Sequence, residues 1–138
     1  MVDDFQQAAS RHLSDAQCLL DKQRWDNAVY LAGYVVECSF KVLVSVYIDS
    51  ASAKKYGHDL AELQGKAMER LRFMYPALDM QLPANRTMGT VLEQFHPERR
   101  YAKSGLWSEL ETKQAVQRAE EIYLEIVPGL ILDGRISI

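Results

Sequence analysis

The feature that most constrains this chain is the apolar stretch from Ala28 to Ile48, whose charged residues are Glu37 and Lys41. It is long enough to span a bilayer, but two charges near mid-depth are costly in lipid. The expectation is therefore a buried helix rather than a membrane span. Trp25, Ala28, Val29, Ala32, Val35, Val36, Phe40, Leu43 and Val46 cover most of its circumference. A helix apolar nearly all round sits centrally and needs several neighbours.

The rest of the chain supplies amphipathic partners. From Asp3 to Leu20, Phe5, Ala9, His12, Ala16 and Leu19 fall on one helical face, widened by Ala8, Leu13 and Leu20. Asp3 and Asp4 suit a helix N-terminus by capping and charge. The short polar joint Asp21 to Arg24 then implies an antiparallel hairpin with the helix from Trp25. Asp49 to Gly57 reads as a connection. Asp59 with Glu62 forms a capping-box pattern opening a third helix, with Leu60, Leu63, Ala67, Leu71 and Met74 as its stripe. Pro76 to Arg86 reads as loop, and Thr87 to Phe95 as a short helix with Met88, Val91, Leu92 and Phe95 on one side. Ser108 with Glu111 opens a last helix to about Val127, with Ala115, Ala119, Ile122, Tyr123 and Ile126 inward and Pro128-Gly129 as its stop. The prediction is an all-α fold: an up-and-down four-helix bundle with an additional short helix. It is one domain over residues 1–138, with a core at about 3–127 and a C-terminal tail at 128–138, apolar enough to add an extended segment or cover a partner.

Composition narrows the function classes. The chain has 138 residues, is 48% hydrophobic and 25% charged, and carries a net charge of -3. That argues against nucleic-acid binding over the whole surface and leaves room for a local basic patch. Its two cysteines, Cys18 and Cys38, form no CxxC pair and read as buried apolar side chains in a reducing compartment. The hairpin register sets them far apart, so no disulfide between them is expected. The acidic start MVDDF has no apolar core of a secretory leader. There is no Gly-rich phosphate loop and no GxSxG. Three histidines far apart give no support for a metal site, and no cofactor is expected.

Two constellations could carry chemistry. On the second helix Asn27, Tyr30, Tyr34, Glu37 and Lys41 step by three or four and share a face, with Glu37 four residues before Lys41 in the favourable ion-pair order. This is either a polar rim of the bundle or a strip facing a ligand or a second subunit. In the hairpin, positions summing to about 46 lie opposite one another, which brings His12 to Tyr34 and within a turn of Glu37. A hydrogen-bonded His12–Tyr34–Glu37 cluster is expected, structural rather than catalytic, with Lys41 beside it. The second constellation is HPERRYAKSG, where His96, Arg99, Arg100, Tyr101 and Lys103 combine cations, an imidazole and an aromatic ring, the chemistry of phosphate contact with base stacking. The other reading is a solvated loop paired with Glu93 or Glu98. His58, next to the Asp59 cap, reads as structural.

The segments HLSDAQCLLDKQRWDNAVYLAGYVVECSFKVLV, GHDLAEL and RRYAKSG together resemble the HEPN domain family, over roughly residues 8–127. The resemblance implies a four- or five-helix bundle that commonly dimerises, in cytoplasmic prokaryotic systems linked to nucleotides or RNA. Some members cleave RNA without metal, as toxins or defence effectors, and others pair with a small nucleotidyltransferase. The nuclease members carry an Arg-x4–6-His motif, and here no arginine is followed by histidine at that spacing; His96 precedes Arg100 instead. The resemblance therefore implies a non-catalytic module that dimerises or pairs with a partner protein and binds nucleotide or RNA through His96, Arg99, Arg100, Tyr101 and Lys103. The alternative is a metal-independent ribonuclease of toxin or defence type, using a rearranged His96–Arg100 pair.

Overall fold

Asp4 begins the first helix by accepting from the Gln7 N–H through its side chain, and α1 runs Phe5–Asp21. In this computed structural model, residues 1–78, 82 and 85–138 are described. Ala9, Leu13 and Ala16 form the buried face of α1. The helix ends in a left-handed residue, Gln23, at φ 60°. The Arg24 N–H reaches back to the Leu19 carbonyl at 2.8 Å and the Gln23 N–H to Leu20 at 3.0 Å, satisfying two orphan carbonyls. This turn reverses the chain into α2, Trp25–Tyr47.

Helix α2 is the spine of the molecule. Buried side chains follow one another without a gap from Val35 to Val44, because α1 and the last helix, α6 (Glu109–Leu132), pack against it, and a short helix, α3 (Ser50–Lys55), and the later turns close the remaining sides. By length and composition α2 could cross a membrane, yet 72% of its most apolar 18-residue window is buried inside this fold.

Three expectations are corrected here. The connection after α2 contains a short helix, α3, at Ser50–Lys55, because Asp49 caps it through the Ser52 N–H. The short helix expected at 87–95 is reduced to a single 3-10 turn, Val91–Glu93, capped by Thr90. Val91 and Leu92 still enter the core, while Met88 and Phe95 stay outside at 62% and 63% exposure. The last helix, α6, runs Glu109–Leu132 and continues through Pro128. Proline there removes one N–H, whose acceptor would be the carbonyl of solvent-facing Leu124. The true stop is Gly134 at φ 71°, where the Arg135 N–H closes on the Leu130 carbonyl at 2.9 Å. Ile136 beyond it packs against the core, and no described tail residue is in a strand.

The third helical region keeps its expected place but not its regularity. It consists of α4 (Leu60–Glu62), a π turn (Leu63–Ala67) and α5 (Met68–Met74). The wider turn shifts the buried face, so Met68 enters the core and Met74, expected inside, is 44% exposed. It also buries Gln64, whose amide oxygen accepts from the Arg86 and Thr87 N–H groups and whose nitrogen donates to Leu60 O and Thr87 Oγ1. That side chain anchors the loop to the bundle, together with Arg118, which donates to the Arg86 and Met88 carbonyls. The expected loop at 76–86 starts with a 3-10 turn, Pro76–Leu78, and residues 79–81, 83 and 84 of it lie outside the described residues. Of the two cysteines, Cys38 is buried and Cys18 is exposed on the outer face of α1, and neither forms a disulfide.

Candidate functional site

Glu37 lies halfway along α2 and is almost fully buried, at 3% exposure. Three groups donate to its carboxylate. Lys41, one turn on, reaches Oε2 at 3.1 Å. His58, just before α4, places Nδ1 at 3.0 and 3.1 Å from the two oxygens. His96, in the loop after the Val91–Glu93 turn, places Nε2 at 2.9 Å from Oε1. Burial alone would push this carboxyl up, but the His96, Lys41 and His58 donors outweigh it and hold Glu37 below the usual glutamate range.

The ring of Tyr34 forms the floor of the cluster. His12, Tyr30, His58 and His96 surround it at centroid distances of 5.7, 5.2, 5.7 and 4.7 Å. Burial, then the hydrogen bond with Tyr30, pushes the Tyr34 phenol above its usual value. His12 therefore faces Tyr34 across the hairpin, while the hydrogen bonds to Glu37 come from His58, His96 and Lys41. Burial lowers the His12 pKa. Sequence reading placed His58 at the helix cap and overlooked it as a partner of Glu37. Its nearness to the GHDL cap is visible in the sequence, but the partner lies 21 residues away.

His96 is also shut inside, and burial lowers its pKa in spite of Glu37. Its tautomer follows from its neighbours. Nε2–H donates to the Glu37 carboxylate, which leaves Nδ1 to accept from Arg99 Nη2 at 3.4 Å. Arg99 itself is 6% exposed, and its Nη1 donates to the carbonyls of Val91, Leu92 and Gln94. Burial brings its pKa down to about 10. Gly33 makes this approach possible: a Cβ there would fall on Arg99 Nη2 and lie 2.6 Å from His96 Nδ1.

Of the five loop residues read as phosphate contacts, His96 and Arg99 thus turn inward and brace the loop against α2. Arg100, Tyr101 and Lys103 remain on the surface. Arg100 lies over the Tyr101 ring at 4.6 Å, and its hydrogen bond with Tyr30 raises its pKa. The far end of the loop is tied down by Asp26, which accepts from the Gly105 N–H at 2.7 Å and the Trp107 N–H at 3.1 Å.

The chemical capacity is uneven. His96 has protein partners on both nitrogens. The half-exposed His58 is held by Glu37 through Nδ1, which leaves Nε2 for the surface, the arrangement of a carboxylate-oriented imidazole able to take or give a proton. Among the described residues no group of three His, Cys, Asp or Glu side chains could hold a metal ion.

Neither a curated protein nor a solved structure matches the chain. The family model described as the HEPN domain matches residues 2–129, nearly the whole length, and agrees with the all-helical architecture. The chain belongs to the HEPN domain family.

Proposed function

We propose that this HEPN domain is a non-catalytic, cytoplasmic module that binds nucleotide or RNA, working as a homodimer or with a partner protein such as a small nucleotidyltransferase. Membership of the family supports a nucleotide- or RNA-related helical module. The observation that carries the non-catalytic reading is the burial of His96 and Arg99. Both side chains are committed to Glu37 and to loop carbonyls, while Arg100, Tyr101 and Lys103 present cations and an aromatic face to solvent. Exposed cations beside an aromatic ring suit a phosphate backbone and a stacked base.

The test is fluorescence polarisation of a labelled single-stranded RNA over a series of salt concentrations. The double variant Arg100→Gln, Lys103→Gln is expected to bind at least ten-fold more weakly. Its log–log salt slope falls by about 1.4, since each phosphate contact on a single strand contributes about 0.7. Unchanged affinity and slope would remove the loop as the binding face. Light scattering gives the mass in solution, and a monomer that captures no nucleotidyltransferase would count against the partnered reading.

One observation favours a second reading, a metal-independent ribonuclease of toxin or defence type. His58 has its Nδ1 on Glu37 and is 53% exposed, so a general acid–base group is available without the His96–Arg100 pair. Cleavage of RNA in EDTA by the wild type, lost in His58→Ala, would establish this reading. Loss in His96→Ala plus Arg100→Ala, with His58→Ala active, would point to the rearranged pair. No cleavage leaves the binding module.

A further inference from the structure

A second polar feature lies on the other side of the loop, where the α1–α2 joint meets the strand of chain leading into α6. An open pocket of about 360 Å³ there is lined by Arg24, Trp25, Asp26, Arg99, Arg100 and Trp107, among others. Its charge balance is one-sided. None of the three arginines has a carboxylate within ion-pair distance among the described residues, although arginines elsewhere do, as Arg86 has Glu125 and Arg118 has Glu121. The pocket's one carboxylate, Asp26, is already occupied by the Gly105 and Trp107 N–H groups.

Two of its lining residues also carry unmatched donors. Arg99 Nε and the Trp107 indole Nε1 are buried N–H groups without a partner. Buried donors left unmatched are uncommon and call for an acceptor. Arg24 and Arg100 are exposed at the rim, and a guanidinium fork matches two phosphate oxygens at once. Trp25, half-buried beside them, offers a ring on which a base can stack.

We propose that this pocket is a phosphate-binding site for a nucleotide or an RNA strand, gripped by Arg24 and Arg100 and lined by Trp25 and Trp107. The inference rests on the nucleotide- or RNA-binding reading and deepens it, placing the phosphoryl group at the α1–α2 joint, a place the exposed Tyr101–Lys103 edge alone would not select. The ligand's negative charge would offset the Arg24, Arg99 and Arg100 cations in a pocket lined by one carboxylate, and its oxygens would accept from the exposed Arg24 and Arg100 guanidinium groups.

The chain contains two tryptophans, and both line this pocket, so intrinsic tryptophan emission reports on it directly. Titration with AMP is expected to change that emission saturably, whereas adenosine, which lacks the phosphate, leaves it unchanged. Arg24→Gln and Arg100→Gln should each weaken AMP at least ten-fold, with Lys113→Gln, which removes a surface charge on α6, as the unaffected control. Oligoribonucleotides with a 5′-phosphate and with a 5′-hydroxyl separate the sources. Binding of both at equal strength, lost in Arg24→Gln, assigns the site to an internal RNA phosphate. A preference for the 5′-phosphate, or for AMP alone, assigns it to a terminal or free nucleotide. The proposal fails if AMP and both RNAs leave tryptophan emission unchanged, or if Arg24→Gln binds them as the wild type does. Should labelled RNA then still bind by polarisation, only this pocket is refuted and the wider binding reading stands. Absence of binding in both measurements would remove the two together.

Discussion

At the scale of single residues, Glu37 is the side chain on which most depends. It sits inside the most apolar helix and keeps its charge because Lys41, His58 and His96 converge on it. Glu37→Gln keeps the shape and removes the charge, leaving Lys41 buried without a counter-ion. Breaking one partner of a buried pair typically costs about 3–5 kcal/mol. An unfolding free energy from urea denaturation lowered by that amount is expected, and one equal to the wild type's would show that the cluster does not stabilise the fold. Gly33 gives a sharper test, because two effects oppose each other there. In a helix interior Ala is normally better than Gly by about 0.8–1 kcal/mol. Here the added methyl would run into Arg99 and His96, and such overpacking costs about 1–3 kcal/mol. Gly33→Ala should therefore lower the melting temperature, and a raised one would mean that the loop is free to yield. Glu37 and Lys41 were readable from their four-residue step. His58 and Gly33 were not, because their partners lie far along the chain and a local pattern carries no trace of them.

At the scale of elements, the starts of the four main helices were legible, and of their ends only the last was misplaced. Asp4, Asp59 and Ser108 each accept the N–H expected of a cap, because that bond is made within four residues of sequence. The last helix closes on a left-handed residue, Gly134, whose position sequence signals only suggest. Pro128-Gly129 looked like a stop, yet the chain stays helical to Leu132 because Val127 and Leu130 are held in the core. Conversely, Gln23 adopts the left-handed cap that glycine usually fills. Gln23→Gly relieves the Cβ strain of that conformation, roughly 1–2 kcal/mol for an ordinary residue. The variant should raise stability to chemical denaturation by about 1 kcal/mol, somewhat less than the strain because glycine also gains freedom in the unfolded chain. No gain would show that the joint is not strained. The π turn at Leu63–Ala67 had no local signature either. It accompanies Gln64, which satisfies two loop N–H groups from inside the bundle.

At the scale of the whole molecule, the clearest consequence is acid sensitivity. His12 and His96 have folded pKa values below the ordinary 6.5, chiefly through burial. Between those values and 6.5 the unfolded chain binds more protons than the folded one, so their contribution is complete above about 6.5 and is lost as pH falls. Glu37 acts in the same direction at lower pH, since its folded value lies under 4.5. Urea midpoints taken from pH 7.5 down to pH 4 should fall in two stages. A midpoint that holds steady or rises on acidification would contradict the buried, neutral state of His96.

By itself, the sequence determined the class of fold, the hairpin of the first two helices and the identity of the charged pair on the second. Those follow from helical periodicity, capping chemistry and spacing, all local properties of a chain. The family resemblance, carried by the same residues, pointed to the HEPN domain that the match over residues 2–129 establishes. Only the tertiary structure decided which of the charged loop residues face outward. It turned His96 and Arg99 inward because Glu37 needed donors and the loop carbonyls needed a cation, and it gathered Arg24, Trp25, Arg100 and Trp107 around one pocket. Whether a charge is exposed depends on what packs opposite it, and that partner comes from a distant part of the chain.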